Sequence, residues 1–262
     1  NININQALIK NINFIKNKID DINFKNKLVC NKNYDYLIFS HGSEVNTFNV
    51  PGVLEHSYPL KTFYDSVIIK NKFKKLPDGS TIAIIGAGLV GTELIGNLID
   101  YKKFKIIAID ALPRPLITFN EQMSNKVLEE WTNSKVNIKM NNFISRINQN
   151  DLEIKDKKEK IKFDMAIWCG GIKINPLSPY VNNRLKLNCN KGIPVNNFLQ
   201  INNYPNLFAI GDCAYSGFPP TAQVAYQQGI YLGKCFNQNH KSINQFNFSN
   251  KGQIGYIGNG KS

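Results

Sequence analysis

The chain has 262 residues, of which 42% are hydrophobic and 19% are charged, a composition typical of a folded globular protein. No apolar run reaches the roughly 18 residues of a membrane-spanning helix, and residues 1–10 lack the apolar core of a secretory signal. The net charge of +13 is spread along a sequence rich in Asn, Ile and Lys. This pattern argues against nucleic-acid binding but fits an anionic membrane surface as a partner.

The cysteines and histidines predict neither a disulfide framework nor a metal site. The five cysteines are widely spaced and include no Cys-x-x-Cys, which favours free thiols in a reducing compartment. His41, His56 and His240 share no metal-ligand spacing. The cysteines are Cys30, Cys169, Cys189, Cys213 and Cys235.

In chain order, the first 40 residues predict short strands between polar turns, at 12–15, 27–30 and 36–39. From Thr81 the pattern becomes a βαβ unit, in which a buried strand at 81–85 precedes a helix from Leu89 to about Tyr101. A second buried strand at 105–109 should pair with the first in parallel. The elements predicted after it are a helix at 121–134, a strand at 136–140, polar alternating segments at 142–162 and a buried strand at 165–168.

An internal repeat predicts two related domains. Residues 34–42 align without gaps to residues 163–171, and each copy follows a polar β meander. We therefore expect an α/β protein with two Rossmann-like dinucleotide-binding domains of the three-layer ββα type, one inserted in the other. The inserted domain is expected at 75–175, and the outer domain, at 1–74 and 176–262, would have its own glycine loop upstream of Asn1.

The strongest local motif is a G-x-G-x-x-G loop formed by Gly86, Gly88 and Gly91, between a predicted strand and a predicted helix. The first glycine permits a tight turn, the second lets the backbone approach a pyrophosphate, and the third allows close strand–helix packing. Asp110 ends the next strand, where its carboxylate would accept hydrogen bonds from ribose hydroxyls and favour NADH over NADPH. Arg114 lies close enough in sequence to weaken that preference.

A second glycine string has the wrong context for a nucleotide site. Residues 255–262 fit the G-x-x-x-x-G-K-S pattern, which requires a following helix whose N–H groups face the phosphates. No helix follows within this chain, so the match is not interpreted as a triphosphate site.

The third constellation begins where an apolar strand ends in Gly211-Asp212. Shortly after it, Pro219, Pro220 and Thr221 are residues typical of a helix start. The N-terminus of a helix at this position could stabilise negative charge on a bound group, whereas a capped surface helix would need no ligand.

Taken together, these motifs resemble those of type II NADH:quinone oxidoreductases, flavoproteins with two dinucleotide-binding domains. The resemblance runs from about residue 12 to residue 258, and its most specific part is Pro-Pro-Thr-Ala-Gln-x-Ala-x-Gln-x-Gly at 219–229. Further matches are at 34–38, at 49–52, at 86–93, at Trp168-Cys169-Gly170-Gly171 and at Gly211-Asp212.

The resemblance implies FAD and NADH as cofactors and assigns roles to individual residues. Asp212 would hold the FAD ribitol or pyrophosphate, Glu93 would help to position NADH, and Gln223 and Gln227 would face a quinone pocket and act in catalysis. The remaining implied cofactor contacts are Gly42 and Gly211 for FAD, Thr221, Ala222 and Gln223 along the isoalloxazine ring, and Gly170 and Gly171 along the nicotinamide path. His41 stands where the family has a threonine, and is interpreted as a tolerated substitution.

The resemblance therefore implies a peripheral membrane enzyme on the cytoplasmic face, which passes hydride from NADH to FAD and electrons to a quinone without pumping protons. A homodimer stays open. The alternatives are a disulfide reductase, which needs a dithiol, a sulfide:quinone oxidoreductase, for which Cys169 is suggestive, and a non-catalytic NADH-binding fragment.

Overall fold

The computed structural model describes residues 12–19, 21–237 and 244–262. The strands are β1 (Ile22–Asn23), β2 (Leu28–Val29), β3 (Lys32–Asn33), β4 (Leu37–Phe39), β5 (Ser43–Val45), β6 (Tyr58–Pro59), β7 (Thr81–Ile85), β8 (Lys105–Ile109), β9 (Asn137–Lys139), β10 (Ile144–Ile147), β11 (Asp151–Ile154), β12 (Lys160–Lys162), β13 (Met165–Trp168), β14 (Ile172–Ile174), β15 (Ile193–Pro194), β16 (Leu207–Ala209) and β17 (Ala214–Tyr215). The helices are α1 (Val53–His56), α2 (Phe63–Lys75), α3 (Leu89–Tyr101), α4 (Glu121–Asn133), α5 (Leu177–Arg184) and α6 (Ala222–Asn237), with a 3-10 turn at Gly211–Cys213.

A five-stranded parallel sheet in the order β6–β13–β7–β8–β9 forms the centre of the molecule. Its inner strands are continuous Ile- and Ala-rich runs because both faces of the sheet are buried. One face packs through Ile82, Ile84 and Ile167 on α3 and α4. The other face packs through Ala83, Ile85 and its neighbours on the antiparallel meander β10–β11–β12. Helices, parallel sheet and meander are the three layers that the sequence predicts.

A second group of elements is built on the parallel pair β4–β16. The antiparallel meander β1–β2–β3 precedes β4, as β10–β11–β12 precedes β13. The two copies of the internal repeat therefore have the same local architecture, as predicted. The hydrophobic core of this second group includes Phe39, Leu207 and Ala209 from the strands and Val181 from α5.

The antiparallel ladder of β5 with β14 joins the two groups, and pairs Val45 with Ile172 and Ser43 with Ile174. Just beyond it, the N–H of Asn46 donates to the carbonyl of Gly171 at 3.0 Å. Each strand of the ladder follows directly after one copy of the repeat. The loops at the ends of both copies are therefore held next to each other.

The βαβ prediction is confirmed, since β7, α3, β8 and β13 have the predicted bounds and the strands pair in parallel. The predicted strand at 12–15 is wrong. Among the described residues this segment forms no strand, and Ile12 is 56% exposed, because no neighbouring backbone pairs with it. Three helices, α1, α2 and α5, were not predicted. Residues 1–11, 20 and 238–243, which include His240, lie outside the described residues.

Within the described part of the chain, no helix is both long and apolar enough to cross a bilayer. Cys169, Cys189, Cys213 and Cys235 are free thiols. The described residues contain no cluster of His, Cys, Asp and Glu side chains that could hold a metal ion.

Candidate dinucleotide sites

The loop between β7 and α3 has the geometry of a tight phosphate-binding turn. Gly86 has φ of +103°, a conformation that L side chains rarely adopt. A Cβ at this position would lie 2.4 Å from the carbonyl oxygen of Cys169, and a Cβ at Gly91 would lie 1.8 Å from the carbonyl oxygen of Gly86. Both positions therefore require glycine, as the motif predicts.

Gly88 differs from these two glycines because it faces open space. It is the N-cap of α3, has no side-chain cap, and a Cβ added there would meet no atom within 4 Å. The N-terminus of a 13-residue helix thus presents uncapped backbone towards a free volume. Such an end favours an anion, because its N–H groups and dipole are both directed there.

Asp110 is fixed at the end of β8 by hydrogen bonds to both oxygens of its carboxylate. Oδ2 accepts from the N–H of Ala87 at 2.5 Å, and Oδ1 accepts from the N–H of Leu112 at 2.8 Å. A carboxylate has about four acceptor positions, so capacity remains for the hydroxyls of a ribose. Asp110 therefore stabilises the glycine loop and can still accept hydrogen bonds from a bound ribose.

Arg114 is directed away from this acceptor. Its guanidinium donates to the hydroxyl of Ser124 and to the carbonyls of Leu116, Ile117 and Phe119. These bonds commit the side chain to the loop before α4. The expectation that Arg114 weakens a preference for NADH is not supported, because both terminal nitrogens of its guanidinium already donate to groups of this loop and of α4.

A cavity of about 490 Å³ opens above the carboxyl ends of β7, β8 and β13. Ligands of open α/β sheets bind at this edge. The cavity wall includes Gly86, Gly88, Asp110, Leu112, Phe143, Trp168, Cys169, Gly170 and Gly171. Five predicted cofactor residues thus meet in one cavity, whereas Gly91 and Glu93, on α3, do not line it.

The Cys169 thiol is part of this wall, but it is not an activated nucleophile. Burial raises its pKa to about 12, so the thiol stays protonated at neutral pH. A reactive cysteine would need a pKa lowered by nearby positive charge or by a helix N-terminus.

A second polar cluster surrounds Asp212 beside the β5–β14 ladder. The Oδ2 atom of Asp212 accepts from the hydroxyl of Ser43 at 2.7 Å, and that hydroxyl accepts from Nζ of Lys61 at 2.8 Å. Lys61 Nζ also lies 3.7 Å from the carboxylate. Gly211 is held by its N–H, which donates to the buried side chain of Gln228 at 2.7 Å. Ser43 and Lys61 were missed from the sequence because they lie far from Asp212 along the chain, and Gln228 because nothing in the 219–229 run distinguishes it from Gln223 and Gln227.

His41 and Gly42 lie at the end of β4, next to this cluster. Nε2 of His41 is 2.9 Å from the hydroxyl of Ser178, and burial lowers the pKa of the imidazole. His41 is therefore neutral at physiological pH, which does not favour a role as an ionised group. A Cβ added at Gly42 would meet no atom within 4 Å, so the backbone there is open to a ligand.

The predicted helix start at 219–221 is confirmed, since α6 begins at Ala222 and the Thr221 hydroxyl accepts from the N–H of Val224 at 3.3 Å. Gln223 and Gln227 lie one turn apart on α6. Both are bound by backbone groups of 249–252. The side-chain amide of Gln227 donates to the carbonyl of Ser249 at 2.9 Å and accepts from the N–H of Ser249 at 3.0 Å. The side-chain amide of Gln223 donates to the carbonyl of Gly252 and accepts from the N–H of Lys251.

The glycine string at 255–262 packs against the outer faces of α3 and α4. Its Asn259 and Lys261 side chains donate to the buried carboxylate of Glu130 at 2.5 and 2.6 Å. The Tyr256 hydroxyl and the Asn259 N–H both donate to Asp100. These groups hold the string against α3 and α4, which agrees with the interpretation that it is not a triphosphate site.

A family model described as pyridine nucleotide-disulphide oxidoreductase matches residues 4–229. The chain belongs to this family. The matched range includes both the glycine loop at 86–91 and the Gly-Asp pair at 211–212.

Curated relatives match the chain over most of its length. A probable NADH dehydrogenase of Dictyostelium discoideum is 29% identical over 97% of this chain and 63% of its own length. A probable mitochondrial NADH-ubiquinone oxidoreductase of Schizosaccharomyces pombe is 29% identical over 78% of this chain and 44% of its own length. A type II NADH:quinone oxidoreductase of Staphylococcus aureus is 25% identical over 94% and 70%. The resemblance identified from the motifs is confirmed, although the chain spans only about half the length of the first two relatives.

Among solved structures, NDH2 from Plasmodium falciparum in complex with NADH matches with a TM-score of 0.78 at 22% identity, over 87% of this chain and 68% of the other. A ferredoxin reductase from Rhodopseudomonas palustris has a TM-score of 0.78 at 17% identity, over 94% and 62%. At these identities the matches show the fold, and they confirm the predicted α/β class with Rossmann-like domains.

Proposed function

We propose that the chain binds NADH in the cavity above β7, β8 and β13, as part of a flavoprotein NADH dehydrogenase that delivers electrons to a quinone. The observation that carries the proposal is the open backbone at Gly88 in the same cavity as the acceptor Asp110. A dinucleotide laid across these strand ends would place its pyrophosphate at the helix N-terminus and its adenosine ribose at the carboxylate. The nicotinamide would then extend towards Gly170 and Gly171.

FAD is the second cofactor of the proposal, and the residues around Asp212 fit it. Asp212 can accept a hydroxyl of the ribitol, and Gly42 offers open backbone beside it. Lys61 places a positive charge 3.7 Å from that carboxylate. The N-terminus of the 16-residue helix α6, at Thr221 and Ala222, would stabilise negative charge. When bound, FAD supplies the step between a two-electron hydride donor and a quinone.

The two sites are neighbours through short connections. Leu60 donates its N–H to the carbonyl of Trp168 in the NADH cavity wall at 3.1 Å. The next residue, Lys61, reaches Ser43 and Asp212. Glu93, which is half-buried on α3, stays a candidate for positioning NADH between the two sites.

The quinone and membrane parts of the proposal rest on α6 and on charge. Tyr226 is 71% exposed and Ile230 is 43% exposed, and with Gln223 and Gln227 they recur at helical spacing on one side of α6. We place the quinone at this side, where the glutamines would act by holding the 249–252 backbone as one wall. The charge of +13 would favour peripheral docking on an anionic membrane, on its cytoplasmic face. Electron transfer without proton pumping and a homodimer belong to the same proposal.

The alternatives are less well supported by the same residues. Sulfide or disulfide chemistry would require an activated thiol, and the Cys169 thiol in the cavity has a raised pKa. A non-catalytic NADH-binding protein differs from the proposal only in the flavin, so flavin binding decides between them.

The test is an anaerobic titration, by NADH, of the protein purified from its whole coding sequence and supplied with FAD. We expect retained flavin whose visible absorbance is bleached by NADH and restored by a short-chain ubiquinone. Asp212→Asn should lower flavin retention, whereas Asp156→Asn, at an exposed turn, should not. A chain that binds NADH but retains no flavin supports the non-catalytic alternative, and a chain that binds no NADH contradicts the proposal.

A further inference from the structure

One side of α2 faces solvent and carries exposed aromatic and basic side chains. Ile69 is buried in the core on one face of the central sheet and Phe73 packs against the same core, so these two residues define the inward side of the helix. At about 3.6 residues per turn, an arc of about 140° on the opposite side holds two exposed aromatic residues and three exposed lysines. The members of this outward face are Phe63, which is 61% exposed, Tyr64, which is 71% exposed, Lys70, Lys74 and Lys75.

The outward face of α2 is basic. Lys70, Lys74 and Lys75 form no ion pair within the part of the chain that the structure describes. The acidic residue of α2, Asp65, is engaged elsewhere, because its carboxylate accepts from the N–H of Thr62 at 2.6 Å in the capping box. Lysines in the last turn of a helix complement its dipole, but this role accounts neither for Lys70 nor for the exposed aromatic pair.

The turn between α3 and β8 extends the outward face at its basic end. The rings of Phe73 and Phe104 lie 5.2 Å apart, which holds this turn against α2. Asp78, which follows α2, is paired with Lys103 of the turn at 3.4 Å, so the negative charge is compensated. The exposed residues at and next to the turn are Tyr101, Lys102 and Lys105.

Resting on the proposed function, we propose that the outward face of α2 docks the protein on an anionic lipid bilayer. Aromatic side chains are favoured at the boundary between headgroups and acyl chains, and lysines are attracted to anionic headgroups. A helix face places both kinds of side chain where one flat surface contacts them together. A nucleic acid would meet the same positive charge, but the electron acceptor of the proposed function is a membrane quinone, which favours the bilayer.

The aromatic end of α2 is the end close to the proposed flavin site. The helix begins two residues after Lys61, whose Nζ lies 3.7 Å from the carboxylate of Asp212. The neighbouring Gly211 donates its N–H to Gln228 of α6 at 2.7 Å. A bilayer in contact with this end of α2 is therefore on the part of the molecule where the proposed function requires the quinone.

The experiment measures sedimentation of the protein, purified from its whole coding sequence and supplied with FAD, with phosphatidylcholine vesicles that contain or lack phosphatidylserine. The triple variant Lys70→Gln, Lys74→Gln and Lys75→Gln should bind the anionic vesicles about 100-fold more weakly, since each lysine near such a surface contributes about 5-fold in affinity. The double variant Phe63→Ala and Tyr64→Ala should weaken binding by at least about 10-fold. This second loss should persist at high salt, where the lysine contribution is screened.

The matched control removes the same charge on the opposite side of the central sheet. Lys155→Gln, Lys158→Gln and Lys162→Gln together change three exposed lysines of the meander β10–β12, which covers the face of the sheet that α2 does not. This variant should bind anionic vesicles almost as tightly as the wild type. All three variants should keep the wild-type Tm and Kd for NADH, because none of the changed side chains lines the NADH cavity.

The outcomes separate this inference from the proposed function. Equal losses in the two lysine variants would mean that net charge attracts the vesicles without a defined face, and would overturn the inference. Unchanged vesicle binding by the α2 variants, or tighter binding of a single-stranded oligonucleotide than of anionic vesicles, would overturn it as well. A wild type that binds no vesicles, but whose flavin NADH bleaches, overturns the docking face and leaves the NADH and flavin sites standing. A flavin that NADH does not bleach, with vesicle binding lost only in the α2 variants, contradicts the proposed function alone.

Discussion

Gly88→Ala should separate stability from NADH binding. The native φ of −70° and ψ of −171° are accessible to alanine, and the added Cβ would touch nothing within 4 Å. The variant should melt within about 4 °C of the wild type, because the gain of about 0.4–1 kcal/mol from restricting the unfolded chain is opposed by the poorer capping of α3 by alanine than by glycine. A pyrophosphate against this backbone would lose a charge-assisted hydrogen bond of about 1.5–3 kcal/mol, so Kd for NADH should rise about 10- to 150-fold.

The assay combines thermal melts with NADH titrations on four proteins: the wild type and the Gly88→Ala, Gly91→Ala and Gly233→Ala variants. Gly91→Ala should lower Tm, because its Cβ would lie 1.8 Å from the Gly86 carbonyl and overpacking costs about 1–3 kcal/mol. Gly233 lies in α6 with nothing within 4 Å of an added Cβ, so its variant should be stabilised with unchanged NADH binding. A Gly88→Ala variant with the wild-type Kd would refute a pyrophosphate at this position.

Three further predictions concern groups engaged in packing. Arg114→Gln should lower stability by about 1.5–3 kcal/mol without changing the ratio of NADPH to NADH affinities, measured by melts and paired titrations; a changed ratio would mean that Arg114 reaches the coenzyme. The bonds from Lys261 and Asn259 lower the pKa of Glu130, so they stabilise the fold above the unfolded pKa of a glutamate, and this stabilisation is lost as the pH falls through the lowered value. Urea melts between about pH 3 and 6 should show that the stability of Glu130→Gln falls less steeply with decreasing pH than the stability of the wild type. An equal loss of stability in the two proteins would contradict this. Gln227→Ala removes both bonds to Ser249 and should speed limited proteolysis near 249–252, detected by mass spectrometry of the cleavage sites, while equal cleavage rates would argue that the glutamine does not hold this segment.

The sequence is sufficient to predict the region from Thr81 to Ile109, because its strands are continuous apolar runs and its glycines have one structural interpretation. The helix α2 could also have been found, since Thr62 and Asp65 form a capping box. In contrast, β6 has only two residues, and it joins the central sheet beside β13, more than 100 residues away. No local pattern encodes such a pairing, and for this reason the boundary between the two domains stays a prediction.

Predicting the site required knowledge of contacts between distant residues. Asp110 was found because its distance from the glycine loop is fixed by one βαβ unit. The partners of Asp212 are Ser43 and Lys61. They contact it only because the β5–β14 ladder brings the two parts of the chain together. Phe143 follows a three-residue strand, and in the sequence it is indistinguishable from any other aromatic residue near a turn.

The two glycine-rich strings at 86–91 and at 255–262 have different roles, and the neighbouring residues explain the difference. Gly88 precedes a 13-residue helix and faces open space, so its backbone is available to an anion. A Cβ at Gly96, on the outer side of that helix, would lie 2.7 Å from the backbone of Ile257, so the second string is packed against the first motif's own helix. Since Gln223 and Gln227 bind 249–252 and Glu130 binds Lys261, this C-terminal segment connects α6 with α3 and α4. The segment thus adds a second connection between the two candidate sites, alongside the β5–β14 ladder, and variants that release it should affect both sites together.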